Sequence, residues 1–173
     1  MTLEPDSALI ANVASSHYLW MGQFERAYEL AERSLALEPD GAFAHWNHAN
    51  ALRFLGRTDE AIQSAERGVE RGERQPVLLT ALGQAYATAR RVADADRILA
   101  ELTARSAHQY IAPTYFLDIH AALGRRDEAC HWLERAYADR NGLLVRLGSS
   151  PEFDLIREDS RFRAVTERMR LPQ

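Results

Sequence analysis

The chain has 173 residues, of which 46% are hydrophobic and 27% are charged, a balance that suits one folded domain or a short repeat array. The formal net charge of −4 argues against the basic patch of a nucleic-acid-binding protein and against a polybasic membrane anchor. All 21 basic residues are arginine, which excludes a phosphate-binding loop lysine and a Schiff-base lysine.

The first ten residues contain two acids and no basic residue before the apolar stretch, unlike a secretory signal. No apolar run approaches the roughly 20 residues that span a bilayer. Cys130 is the only cysteine, so an internal disulfide and a cysteine-rich zinc site are excluded. We therefore expect a cytoplasmic protein.

From residue 8 onward, the sequence has a period of 34 residues. Four alanines recur at this spacing: Ala27, Ala61, Ala95 and Ala129. A second position, five residues earlier, is occupied by Gly22, Gly56, Arg90 and Gly124. The period divides the chain into four units, at residues 8–41, 42–75, 76–109 and 110–143.

Each unit is predicted to form two amphipathic helices joined by a tight turn. In the second unit the first helix is predicted from Phe43 to Leu55, and Gly56 supplies the turn. Thr58 then caps the second helix, and the acids that follow it suit the helix dipole. The small side chain of Ala61 lets the two helices pack closely.

The 34-residue period, the Leu82-Gly83 pair followed by Tyr86, and Pro39 near the end of the first unit resemble tetratricopeptide repeat (TPR) proteins. The resemblance covers about residues 8–143. It implies an all-α fold: a right-handed superhelix of four helix-turn-helix repeats, followed by C-terminal capping helices. It also implies a scaffold that binds other proteins and catalyses no reaction.

Both ends of the chain are informative. Residues 3–7 (LEPDS) match residues 37–41 (LEPDG) one period later, which is either a natural helix cap or the tail of an earlier repeat in a longer protein. Residues 144–173 leave the period and are predicted to cap the array with a short helix, a turn and a last helix that begins near Asp159. Six apolar residues are expected to cover the last repeat: Phe153, Leu155, Ile156, Phe162, Val165 and Met169.

This ending is similar to the one that closes TPR arrays in bacterial signalling proteins, where the array follows a DNA-binding or nucleotide-cyclase domain. The similarity rests on Pro151, Phe153, Asp154, Leu155, Arg157, Asp159, Arg161 and Phe162. It implies an alternative function, as the C-terminal regulatory or dimerisation module of a larger transcription regulator or cyclase-type protein.

The resemblance places the partner-binding groove on the first helix of each repeat. Polar amides there could hydrogen-bond with a peptide backbone, while Trp46 could hold an apolar side chain. The predicted groove residues are Asn12, Ser16, Trp46, Asn47, Asn50, Arg53, Thr80, Gln84 and Asp118. TPR domains that bind chaperone C-termini hold the terminal carboxylate with lysine and arginine side chains, and this sequence has no basic residue at the equivalent positions. A solvated groove, with binding through self-association elsewhere, stays open as an alternative.

Few residues offer catalytic or metal chemistry. His45 and His48 lie three residues apart on one helix and could share a metal, although packed, hydrogen-bonded histidines are the favoured interpretation. Cys130 is expected to behave as a small hydrophobic residue. We therefore expect no enzyme, no cofactor and no metal, and a peptide or protein as the partner, with no nucleic acid or membrane bound by this chain.

Overall fold

The computed structural model describes residues 7–170, and within that range it contains α-helices and 3-10 helices but no strand. Eight α-helices form four consecutive pairs: α1 (Ala8–Trp20) with α2 (Phe24–Leu37), α3 (Ala42–Phe54) with α4 (Thr58–Arg71), α5 (Pro76–Thr88) with α6 (Val92–Ser106), and α7 (Pro113–Ala122) with α8 (Arg126–Ala138). Two 3-10 helices (Gly142–Gly148 and Pro151–Phe153) and α9 (Ser160–Met169) complete the chain. The predicted all-α repeat fold is confirmed.

The turn inside each helix pair has the same left-handed backbone conformation in all four pairs. Gly22, Gly56 and Gly124 have φ angles of 71°, 76° and 74°, and Arg90 adopts a φ of 59° at the equivalent place. In the second pair, the Arg57 amide donates to the Leu52 carbonyl at 2.9 Å, closing the helix end around the left-handed residue. The turn position of the period is therefore set by a left-handed backbone, which glycine adopts without strain.

The periodic alanines lie where the two helices of a pair pack together. Each is fully buried: Ala27, Ala61, Ala95 and Ala129. One detail of the prediction is wrong, because Arg57 and not Thr58 occupies the N-cap of α4, and the cap has no side-chain hydrogen bond. The preceding turn already fixes the Arg57 backbone, so Thr58 falls on the first helical residue.

Among the described residues, three apolar cores follow one another along the array. The smallest joins α1, α2 and α3 around Leu19, Ala27 and Ala51. The largest extends from α3 to α7 around Leu52, Leu79 and Leu102. The third joins α7 and α8 to the C-terminal segment, which we define as residues 142–170. Of the apolar residues expected to cover the last repeat, four are buried in this core (Phe153, Ile156, Phe162 and Val165), Met169 packs against it, and Leu155 is exposed.

The predicted tail of an earlier repeat falls mainly on residues 1–6, which lie outside the described residues. Asp159 occupies the N-cap of α9, and its carboxylate accepts a hydrogen bond from the Arg161 amide at 2.9 Å. Over residues 7–170, no helix combines the length and the apolar character that crossing a membrane requires.

Candidate functional site

The first helices of the four pairs, α1, α3, α5 and α7, line the concave side of the array, and the C-terminal segment folds across part of it. A cavity of about 390 Å³ lies between them, which we call the concave cavity. Its lining from the repeats consists of Leu19, Trp20, Phe43, Trp46, Asn50, Phe54, Val77, Thr80, Gln84, Tyr115 and Asp118. The C-terminal segment contributes Leu143, Arg146, Ser149, Ser150 and Glu152.

One half of the concave cavity is apolar and open to solvent. Trp20 is 54% exposed, Phe43 is 46% exposed and Leu143 is 42% exposed, although all three are large hydrophobic residues. Phe54 is held in place by stacking on Phe24, with ring centroids 4.2 Å apart. Exposed aromatic side chains on a rigid support are typical of binding surfaces.

The other half is polar and is already occupied by the chain itself. The Glu152 carboxylate accepts hydrogen bonds from Gln84 Nε2 at 3.1 Å, from Arg146 Nη1 at 3.0 Å and from Arg53 Nη2. Arg146 also donates to both carboxylate oxygens of Asp118. We call Arg53, Asp118, Arg146 and Glu152 the buried charge network. Its two arginines and two acids balance one another.

Burial and charge act in opposite directions on the two acids. Burial raises the pKa of Asp118 to about 6, against the lowering effect of Arg146. Burial would also raise the pKa of Glu152, but Arg53 and Arg146 together lower it below its ordinary value. At neutral pH both acids are ionised, so the polar half carries no net charge.

Five of the predicted groove residues line the concave cavity: Trp46, Asn50, Thr80, Gln84 and Asp118. Part of their hydrogen-bonding capacity is used within the protein. Asn50 Nδ2 donates to the Trp46 carbonyl at 2.9 Å, and Thr80 Oγ1 donates to the Pro76 carbonyl at 2.8 Å. The predicted residue Arg53 is directed to Glu152, and its guanidinium lies 4.1 Å from the centroid of the Phe54 ring.

The other three predicted residues form a separate cluster between α1 and α3. Asn47 Nδ2 donates to the Asn12 carbonyl at 2.9 Å and to Asn12 Oδ1 at 2.6 Å. Ser16 Oγ donates to Asn47 Oδ1 at 3.0 Å. Asn47 is buried, so these side chains connect the first two repeats and do not line the concave cavity.

Several residues of the site were not predicted from the sequence. Arg146 and Glu152 lie in the segment to which only a capping role was assigned, and Leu143, the last residue of the predicted fourth unit, lies beyond α8. The charges of Arg53 and Asp118 could have indicated that further residues were needed, because both occupy groove positions. If such charged side chains become buried, they need partners of opposite charge. Trp20 and Phe43 stand at helix ends, beyond the positions used for the prediction, although Trp20 lies four residues after Ser16 and Phe43 three before Trp46, on the same helix face.

His45, His48 and Cys130 are packed inside the fold. His45 Nδ1 and His48 Nδ1 lie 3.3 and 3.0 Å from Ser64 Oγ, as the packed interpretation predicted, and burial lowers the pKa of both. Burial raises the pKa of Cys130 to about 11, so its thiol stays protonated at neutral pH. Among the described residues, no three His, Cys, Asp or Glu side chains are grouped as metal ligands.

Comparison with known proteins agrees with the helical repeat fold. Residues 44–71, which include most of α3 and all of α4, match the sequence model of the tetratricopeptide repeat family. This chain is similar to a solved structure from Podosopora anserina, described as a kinesin light chain with nearly identical TPR-like repeats. The match covers 98% of this chain and 96% of the chain in that structure. The TM-score is 0.56 and the sequence identity 20%. The expected resemblance is confirmed, and the chain has the fold of a TPR solenoid.

Proposed function

We propose that this chain is a non-enzymatic scaffold that binds a peptide or protein partner in its concave groove. The observation that carries the proposal is the open apolar half of the concave cavity, where Trp20, Phe43 and Leu143 are exposed on the inner side of the array. Repeat proteins of this kind use their concave surface for binding. Buried aromatic anchors dominate the energetics of most protein interfaces.

The best variants for a test are those that remove contact area without disturbing the core. Trp46 packs against both neighbouring cores and Asn50 is buried, so substitutions there would change the fold as well as the groove. Trp20 and Phe43 are half exposed and line the cavity. Tyr110 is also exposed and lies outside the concave cavity, so Tyr110→Ala is a matched control.

The experiment is affinity capture from a lysate of the source organism, followed by binding measurements with the purified partner. The double variant Trp20→Ala/Phe43→Ala should lose the partner, or bind it at least ten-fold more weakly, while Tyr110→Ala retains it. Circular dichroism should show equal helicity for all three proteins. Equal capture by the double variant and the wild type would reject the groove as the binding surface.

The second candidate function is that of a regulatory or dimerisation module in a larger bacterial signalling protein. Leu9 and Val13 are exposed on one face of α1, four residues apart, which favours contact between two copies. Sedimentation equilibrium tests the dimerisation part of this function. A wild-type dimer that Leu9→Glu/Val13→Glu converts to a monomer would support it, and a monomeric wild type at all concentrations would reject it.

A further inference from the structure

We propose that the concave cavity is a pocket for one bulky, uncharged apolar side chain of an extended partner segment, with Leu143 of the C-terminal segment as one of its walls. The proposal rests on the proposed function and states which partner chemistry that groove accepts. It differs from a groove built by the paired repeat helices alone, because a residue from the 3-10 helix that follows α8 takes part.

The exclusion of charged side chains follows from the buried charge network. Each acid in it already contacts an arginine: Glu152 with Arg53 and Arg146, and Asp118 with Arg146. A charged group that entered the cavity would lose its hydration and find no unpaired charge to replace it. Uncharged side chains avoid this desolvation cost. An acidic peptide, or the carboxylate at a chain end, therefore gains nothing from this pocket.

The size and walls of the cavity leave room for a large apolar group. A volume of about 390 Å³ lies at the lower end of the range for ligand sites, roughly 300–1,000 Å³. Aromatic and aliphatic side chains from all four repeats face it, among them Trp46, Val77 and Tyr115. Ser149 and Ser150 line the same cavity and can hydrogen-bond with the backbone of the segment that carries the inserted side chain.

The position of Leu143 connects this pocket to the docking of the C-terminal segment. Leu143 lies three residues before Arg146, whose guanidinium is held by both Asp118 and Glu152. The buried charge network therefore fixes the segment against α7 and presents Leu143 to the cavity. A side chain that fills the cavity contacts both the repeats and the segment, and so favours the docked arrangement.

The test uses single-residue probes and the full chain. N-acetyl-L-leucinamide and N-acetyl-L-phenylalaninamide represent apolar side chains, and N-acetyl-L-aspartic acid amide represents a charged one. The chain has three tryptophans, of which Trp20 and Trp46 line the cavity while Trp132 lies outside it. Their indole N–H resonances in two-dimensional NMR spectra report binding, with Trp132 as an internal reference.

The apolar probes should shift the Trp20 and Trp46 indole resonances saturably, with millimolar dissociation constants, and leave Trp132 unchanged. The aspartic acid probe should cause no saturable shift. Leu143→Ala should weaken binding of the apolar probes roughly ten-fold. Val145→Ala is the matched control, because Val145 is exposed in the same 3-10 helix but does not line the cavity, and it should bind like the wild type.

Equal binding of the charged and apolar probes, equal binding by Leu143→Ala and wild type, or no shift with any probe would each overturn the proposal. These failures differ from failure of the proposed function. If partner capture depends on Trp20 and Phe43 but no probe binds, the proposal of partner binding in the groove stands and the proposal of an apolar side-chain pocket is rejected. Saturable probe binding, without a partner that depends on these residues, would keep the pocket as a small-molecule site and reject the scaffold function.

Discussion

Arg146 Nη2 lies 2.5 and 2.6 Å from the two carboxylate oxygens of Asp118, so a single guanidinium connects the C-terminal segment to α7. The same guanidinium contacts Glu152, which in turn reaches Arg53 and Gln84 on the two preceding repeats. Groove positions on three successive repeats therefore interact with one short segment of the same chain. The segment covers the end of the array and also forms one side of the concave cavity.

Glu152→Ala should destabilise the protein by about 3 kcal/mol, because it leaves Arg53 buried without its carboxylate partner. Urea denaturation followed by circular dichroism measures the change in the free energy of unfolding. Glu158→Ala is the control, since Glu158 pairs with Arg163 on the surface and should change stability little. Similar losses in the two variants would show that the buried charge network is not specially stabilising.

Stability should fall as the pH drops below about 6.5, because burial lowers the pKa of His48 in the folded protein. The unfolded chain then takes up a proton more readily than the folded one. His48→Gln should reduce this dependence between pH 7.5 and 5.5 in denaturant titrations, while the buried His45 keeps its own contribution. Below about pH 6, the raised pKa of Asp118 increases the stability of the folded protein as the pH falls, which is the opposite effect. Asp118 is present in both proteins, so its contribution cancels when the variant is compared with the wild type. Identical slopes for both proteins would contradict the prediction.

Gly56→Ala should cost about 1 kcal/mol, because Gly56 has a φ of 76° and an added Cβ meets no other atom within 4 Å. The cost is therefore conformational and not steric. Gly142→Ala is the matched control: its surroundings are equally open and its φ is not left-handed. Thermal unfolding of the two variants separates the effects, and equal melting temperatures would count against the argument.

Asp159→Ala should cost about 1 kcal/mol, because it removes the side-chain cap of α9. Asp159→Asn should cost less, since asparagine also caps helices. Hydrogen bonds from Arg161 lower the pKa of Asp159 well below its ordinary value. The stability that the carboxylate adds over asparagine is present above about pH 4 and is lost as the pH falls further. Chemical denaturation at pH 7 and pH 3 measures both differences; equal stability of the two variants at pH 7 would oppose the capping role.

Much of the fold could be predicted because the repeat depends on residues that are close together in the sequence. The positions occupied by Ala61 and Gly56 in the second unit recur at a fixed spacing in the others, since every pair of helices needs one close contact and one left-handed turn. Both requirements involve residues that are near one another in the chain. Arg90 at a glycine place shows that the period survives one strained substitution.

The site was harder to predict because its polar half depends on contacts between distant residues. Trp46, Gln84 and Asp118 follow from the helix stripe, which is a local pattern. Glu152 follows no repeat, and its place beside Arg53 depends on how the whole segment folds back. A sequence pattern with a period of 34 residues contains no information on where an aperiodic segment will dock.

The contact between Arg53 and Glu152 joins residues that are 99 positions apart. Repeat arrays with only nearest-neighbour contacts can open from one end, one unit at a time. In this chain, the C-terminal segment contacts the second repeat through Glu152, so this segment cannot detach without breaking a contact near the beginning. The array should therefore unfold as one cooperative unit from α3 onward, with amide hydrogens in α3, α5 and α7 exchanging at similar free energies.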